Sequence, residues 1–164
     1  MAHHRREQPF KLFFLHGEQT SEIQLQYSKG EKVNTNILRN GLVAAGLMNI
    51  GGVVVFSRAF TNRPITDADP VVMSNFGLLM IAVWGLAYWG AATVHSNTKW
   101  LVGAFALEKS VYVVVWSNWI TKNSLPELYS KDVFAGIYYS IYGLNDLAFM
   151  LFFMWAFFVQ RQSK

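Results

Sequence analysis

Long charge-free runs dominate the chain beyond residue 39. Between Arg39 and Arg58 lie 18 residues without a formal charge, NGLVAAGLMNIGGVVVFS, close to the ~20 needed to cross a hydrocarbon core about 30 Å thick. From Pro70 to Thr98, 29 residues carry no Asp, Glu, Lys or Arg and include FGLLMIAVWGLAYWGAA, the clearest span of the chain. A third run, Trp100 to Ile120, is interrupted by Glu108 and Lys109, and a fourth, Val133 to Val159, by Asp146 alone. Each run is too long for a strand and lacks the alternation of a barrel strand, so the backbone is expected to satisfy itself as helix. The pattern predicts an all-α, polytopic membrane protein, a four-transmembrane-helix bundle over residues 34–160 with spans at about 39–59, 72–95, 100–120 and 133–159.

The segments between the runs are turn-like. TNRPITDADP (61–70) and TKNSLPELYSKD (121–132) combine proline with charge, and SNT (96–98) is so short that the second and third spans must be antiparallel neighbours. Arg5, Arg6, Lys11, Lys29, Lys32, Lys99, Arg161 and Lys164 fall on one side, with Arg39 at the border, against Arg58, Arg63, Lys122 and Lys131 on the other. By the positive-inside rule both termini are expected to be cytoplasmic, in a cell membrane of which the bacterial inner membrane is the leading candidate. Residues 1–33 form a polar N-terminal tail, read as disordered or interfacial, and 161–164 a C-terminal tail. The apolar run in PFKLFFLH is too short for a signal-peptide core, so no cleaved targeting segment is expected. EIQLQYS alternates like a marginal strand without a partner, and an alternative reading starts the natural chain near Val33.

Composition agrees with a lipid environment. Of 164 residues, 52% are apolar, 16% aromatic and 15% charged, against about 25% charged in a soluble domain. One small globule could not bury 13 Phe, 7 Tyr and 6 Trp. The net charge of +4 is spread thinly, without the basic runs of a nucleic-acid binder, so membrane lipids and not nucleic acid are the expected partners. The chain has no cysteine, which excludes a disulfide framework, a thiolate metal site and a cysteine nucleophile.

The candidate chemistry lies in the three charges inside the spans. A charge at a helix centre costs about 2.5–3.5 kcal/mol, while the nine Leu, Ile, Val and Phe residues of the third span return about 0.3–0.6 kcal/mol each. The balance is near zero or unfavourable, so that helix needs internal partners. Lys109 lies nine residues past Trp100, or about 13 Å along the axis, too deep to snorkel fully. Asp146 lies 13 residues from either end of its span, and Glu108 and Asn49 sit eight residues inside theirs. One cluster can therefore gather residues from spans one, three and four, with Lys109 to Asp146 the expected pair. Glu108 is then either neutral or hydrogen-bonded to Asn49 or Asn145. Tyr112, Trp116 and Trp119 continue from Glu108 at helical spacing, and Tyr142, Tyr139 and Tyr138 precede Asp146 likewise.

A polar floor with an aromatic wall suits a lipophilic-ligand pocket; it equally suits a hydrogen-bonded staple between packed helices. The candidate ligand-binding residues are Asn49, Glu108, Lys109, Tyr112, Tyr142, Asn145 and Asp146. Three functions fit: a non-enzymatic accessory or lipophilic-ligand-binding module, which leads; an enzyme on a lipid, quinone or terpenoid using Glu108 or Asp146 as general acid or base; and a proton-coupled carrier. A lipophilic small molecule, a larger membrane complex or a homo-oligomer are the further expected partners. No cofactor is expected, nor a metal site, because His95 is the one histidine near a span. Gly41 with Ala45, Ala87 with Ala91, Ala106 with Ser110 and Gly136 with Ser140 are small pairs suited to close helix contacts. Trp84, Trp89, Trp100 and Trp119 include interface anchors, and SRAFTNR around Arg58 reads as a capping and headgroup-contact segment. GLMNIGGVVVFSRAF (46–60) faintly matches GLNDLAFMLFFMWAF (143–157), setting Asn49 against Asp146.

The segments VFSRAFTN, ALEKSVYV and YGLNDLAF resemble small, uncharacterised bacterial four-helix integral membrane proteins, a likeness over about residues 34–160 that implies the four-helix plan and no known activity. In architecture alone the plan is also similar to the DoxX-like proteins and the sterol-isomerase-like fold.

Overall fold

The structure, a computed structural model, describes residues 35–95 and 98–160. The expected N-terminal tail, the first two residues of the SNT turn and the C-terminal tail lie outside the described residues. Among the described residues, four helices are long and apolar enough to cross a membrane: α1 (Thr35–Phe56), α3 (Asn75–Ala92), α4 (Lys99–Lys122) and α6 (Val133–Val159). Two short helices join them, α2 (Arg63–Ala68) between α1 and α3, and α5 (Leu125–Lys131) between α4 and α6. Pro64 and Pro126 sit in the first turn of these helices, where a missing N–H costs nothing, and so each starts a short helix inside a connection expected to be turn-like.

The four long helices pack as a bundle in which the usual polarity is inverted. Along α1 the buried seam is Leu42, Ala45, Asn49 and Val53; along α3 it is Leu78, Ile81, Gly85, Tyr88 and Ala91. Asn49, Glu108, Lys109 and Asp146 are buried, while Leu47, Val55, Leu86, Leu107, Val114, Leu144 and Leu151 face outward. Helices that are apolar around most of their circumference and turn their few charges inward are built for lipid.

Close approach depends on glycines. A Cβ on Gly46 would lie 2.8 Å from the Gly85 carbonyl oxygen and 2.3 Å from Trp89 Nε1, so α1 and α3 meet backbone to backbone. A Cβ on Gly143 would lie 1.9 Å from Trp116 Cδ2, so α6 receives the α4 indole flat against its backbone. Both indoles then donate to a carbonyl of the helix they lie on, Trp89 to Val43 at 3.1 Å and Trp116 to Tyr139 at 2.7 Å. Gly136 takes the Tyr129 ring of α5 in the same way, and the Tyr129 and Ser140 hydroxyls lie 3.0 Å apart.

The end of α1 is locked by a left-handed turn. Arg58, Ala59 and Phe60 have φ of 49°, 53° and 70°, a conformation that L-residues adopt singly and at a cost. Hydrogen bonds within the turn offset that cost. The Ala59 N–H donates to Val54 O at 2.9 Å, Asn62 N–H to Ser57 O at 2.8 Å, and Phe60 N–H to Ser57 Oγ at 2.9 Å. From this turn Arg58 donates to Asp132 Oδ2 and Asn62 to Asp132 Oδ1, both at 2.9 Å, and the Arg58 guanidinium lies 4.7 Å from the Phe134 ring centre. Asp132 also caps α6 by accepting from Ala135 N–H at 2.8 Å. The Arg58 guanidinium, about half exposed, is thus paired with an acid 74 residues away.

Candidate functional site

Each charged residue of the site arrives on a helix whose packing leaves it one direction to face. Lys109 extends from mid-α4 and is 1% exposed; its ammonium donates to Asp146 Oδ1 of α6 at 2.6 Å and to Asn49 Oδ1 of α1 at 2.9 Å. Asn49 uses its amide N–H on the Ile81 carbonyl of α3 at 3.1 Å, and Asn145 donates to Asp146 Oδ1 at 3.3 Å. Two residues that the faint internal match set against each other, Asn49 and Asp146, thus clasp the same ammonium.

Of the two alternatives for Glu108, a hydrogen bond to Asn49 or Asn145 is not formed. Its partner is neither Asn49 nor Asn145, whose groups are engaged as described, but the Tyr88 hydroxyl of α3, which donates to Glu108 Oε2. The cluster accordingly draws on all four long helices where the sequence pointed to three. Tyr88 is wholly buried between Phe105 and Phe153, and its ring centre lies 5.5 Å from Lys109 Nζ. A tyrosine in an apolar run gave no signal of this, because its register toward α4 is set by the Gly46–Gly85 contact between α1 and α3.

Asn49, Glu108, Lys109, Tyr112, Tyr142, Asn145 and Asp146 all line one internal chamber of about 40 Å³, together with Tyr138, Gly52 and apolar neighbours. That volume is of water size. Two buried atoms in its wall, Glu108 Oε1 and Tyr142 Oη, have no hydrogen-bond partner among the described residues. A second cavity, an apolar cleft of about 610 Å³ between α3 and α4, is lined by Phe76, Met80, Trp84, Ala104, Leu107, Val111 and others. Glu108 and Tyr112 line both, and form the wall that the chamber and cleft share. The remaining aromatics of the expected wall serve elsewhere. Trp119 donates to Ala68 O at 2.9 Å and Tyr139 to Ile65 O at 3.1 Å, tying the α2 segment onto the bundle, while Trp116 is engaged with α6.

Chemically, the cluster is a satisfied ion pair, Lys109–Asp146, beside a carboxyl with one oxygen free. The pair is suited to fixing helix register. No protein-family model, curated protein or solved structure matches the chain. The likeness carried by VFSRAFTN, ALEKSVYV and YGLNDLAF therefore assigns no family, and the four long apolar helices mark the chain as a small four-helix, multi-pass membrane protein.

Proposed function

We propose that the chain is a non-enzymatic membrane module that binds a lipophilic small molecule in the cleft between α3 and α4, with the ligand's polar end at Glu108. The observation that carries this reading is the position of Glu108, a buried carboxyl with an unpartnered oxygen in the wall between a polar chamber and a cleft of about 610 Å³. Clefts of that size with few polar groups among apolar walls are typical of small-molecule sites. Lys109, Asp146, Asn49 and Asn145 hold the helices in register around it, and Tyr112 and Tyr142 complete the polar end. The protein resides in a bacterial inner membrane with both termini in the cytoplasm, as the distribution of Lys and Arg favours.

Ala104 lines the cleft and is exposed there, so Ala104→Trp fills it without touching the ion pair. Mass spectrometry of gently purified protein is expected to find one lipophilic species enriched over bulk lipid in the wild type and depleted in Ala104→Trp at unchanged helix content. Bulk lipid alone in both proteins overturns the reading.

A further inference from the structure

The site has two acids and one base. Glu108 and Asp146 face a single ammonium, that of Lys109, and its Nζ is bonded to Asp146 and Asn49. Glu108 Oε2 receives the neutral hydroxyl of Tyr88, and Oε1 receives nothing among the described residues. The cleft lining contains no Lys, Arg or His to complete the balance. It does contain Phe76, Trp84 and Tyr112, whose ring faces attract positive charge. A buried acid in the wall of an apolar cleft, beside aromatic rings and sharing the one ammonium of the cluster with Asp146, has the complement of a molecule that is both greasy and positively charged.

We propose that the ligand of the α3–α4 cleft is a lipophilic cation whose charge is balanced by Glu108 and whose apolar groups rest against Trp84 and Phe76. This rests on the cleft being a ligand site and adds the ligand's chemical class. Lys109 and Asp146 form the fixed, internally balanced part of the cluster; Glu108 is the part balanced from outside. A neutral lipophile gains the apolar contacts and leaves the carboxyl without a countercharge. In a low-dielectric site that difference is worth at least about tenfold in affinity.

The test compares two probes of nearly the same size and shape, the cation tetraphenylphosphonium and neutral tetraphenylsilane. Radiolabelled binding is measured on the full chain in nanodiscs, with empty nanodiscs subtracted, for the wild type, Glu108→Gln and Ala104→Trp. The expected result is saturable binding of the cation to the wild type, weakened at least about tenfold in Glu108→Gln and in Ala104→Trp, with the neutral probe at least about tenfold weaker throughout. Should Glu108→Gln fold poorly, the comparison of the two probes on the wild type still decides the matter. Equal binding of both probes, lost only in Ala104→Trp, overturns the cation class and leaves the cleft standing as a site. Binding of neither probe above empty nanodiscs overturns the cation class, and the enriched lipophile sought above then judges the cleft separately.

Discussion

Lys109 Nζ lies 2.6 Å from Asp146 Oδ1, and the two residues are 1% and 6% exposed. Charges so placed are costly to desolvate, and the cost is tolerable only while both are present. Lys109→Met leaves Asp146 and Asn49 without their shared donor and is expected to destabilise the bundle by about 3–5 kcal/mol. The double variant Lys109→Met with Asp146→Leu is expected to recover most of that loss. Reversible unfolding in mixed micelles checks both, and a double variant no more stable than Lys109→Met would contradict the pairing.

Two glycines on different helices, Gly143 on α6 and Gly51 on α1, predict opposite outcomes. Gly143→Ala drives a methyl into the Trp116 ring, with Cδ2 at 1.9 Å, and is expected to cost about 1–3 kcal/mol by overpacking. Gly51→Ala meets nothing within 4 Å and is expected to be neutral or to stabilise α1 by up to about 1 kcal/mol. Thermal unfolding of the two single variants measures the contrast directly.

These two relationships were not equally visible in the sequence. The Lys109–Asp146 pair was legible because lipid forces a buried charge to find a countercharge, and Lys109 is the one amine inside the spans while its neighbour Glu108 points about 100° away around the helix. The four helices were legible for a similar reason, since charge-free runs of that length have few other solutions. Tyr88 as the partner of Glu108 was not, because helix rotation about its axis leaves no mark in a run that is apolar on every side. Nor was the Arg58–Asp132 contact, which depends on three consecutive left-handed residues that no glycine announces.

That contact carries a pH prediction. Burial by itself pushes the Asp132 carboxyl up, but the Asn62 amide, the Ala135 N–H, the Arg58 guanidinium and the Phe134 N–H together outweigh it and hold the group below the ordinary Asp range. A depressed folded-state value means the stabilisation is fully present above the unfolded-state value of about 3.9 and is lost as pH falls through the lower folded-state value. Melting temperature is therefore expected to fall below about pH 4, less steeply in Asp132→Asn, which is already less stable at neutral pH. Identical acid profiles for the two proteins would remove Asp132 from the account.

Orientation is open to a clean measurement because the chain has no cysteine. Asp67→Cys on the exposed face of α2 is expected to react with an impermeant maleimide in intact cells, and Ser163→Cys only after permeabilisation. The reverse pattern would place both termini outside.

The cleft is tested most directly by photolabelling in nanodiscs with a lipophilic diazirine probe, followed by peptide mapping. Saturable adducts are expected to concentrate on Phe76, Met80, Trp84, Leu107 and Val111, which line the cleft, and to be lost in Ala104→Trp. Adducts spread evenly over outward residues such as Leu47, Val55 and Leu151, and unaffected by Ala104→Trp, would contradict it.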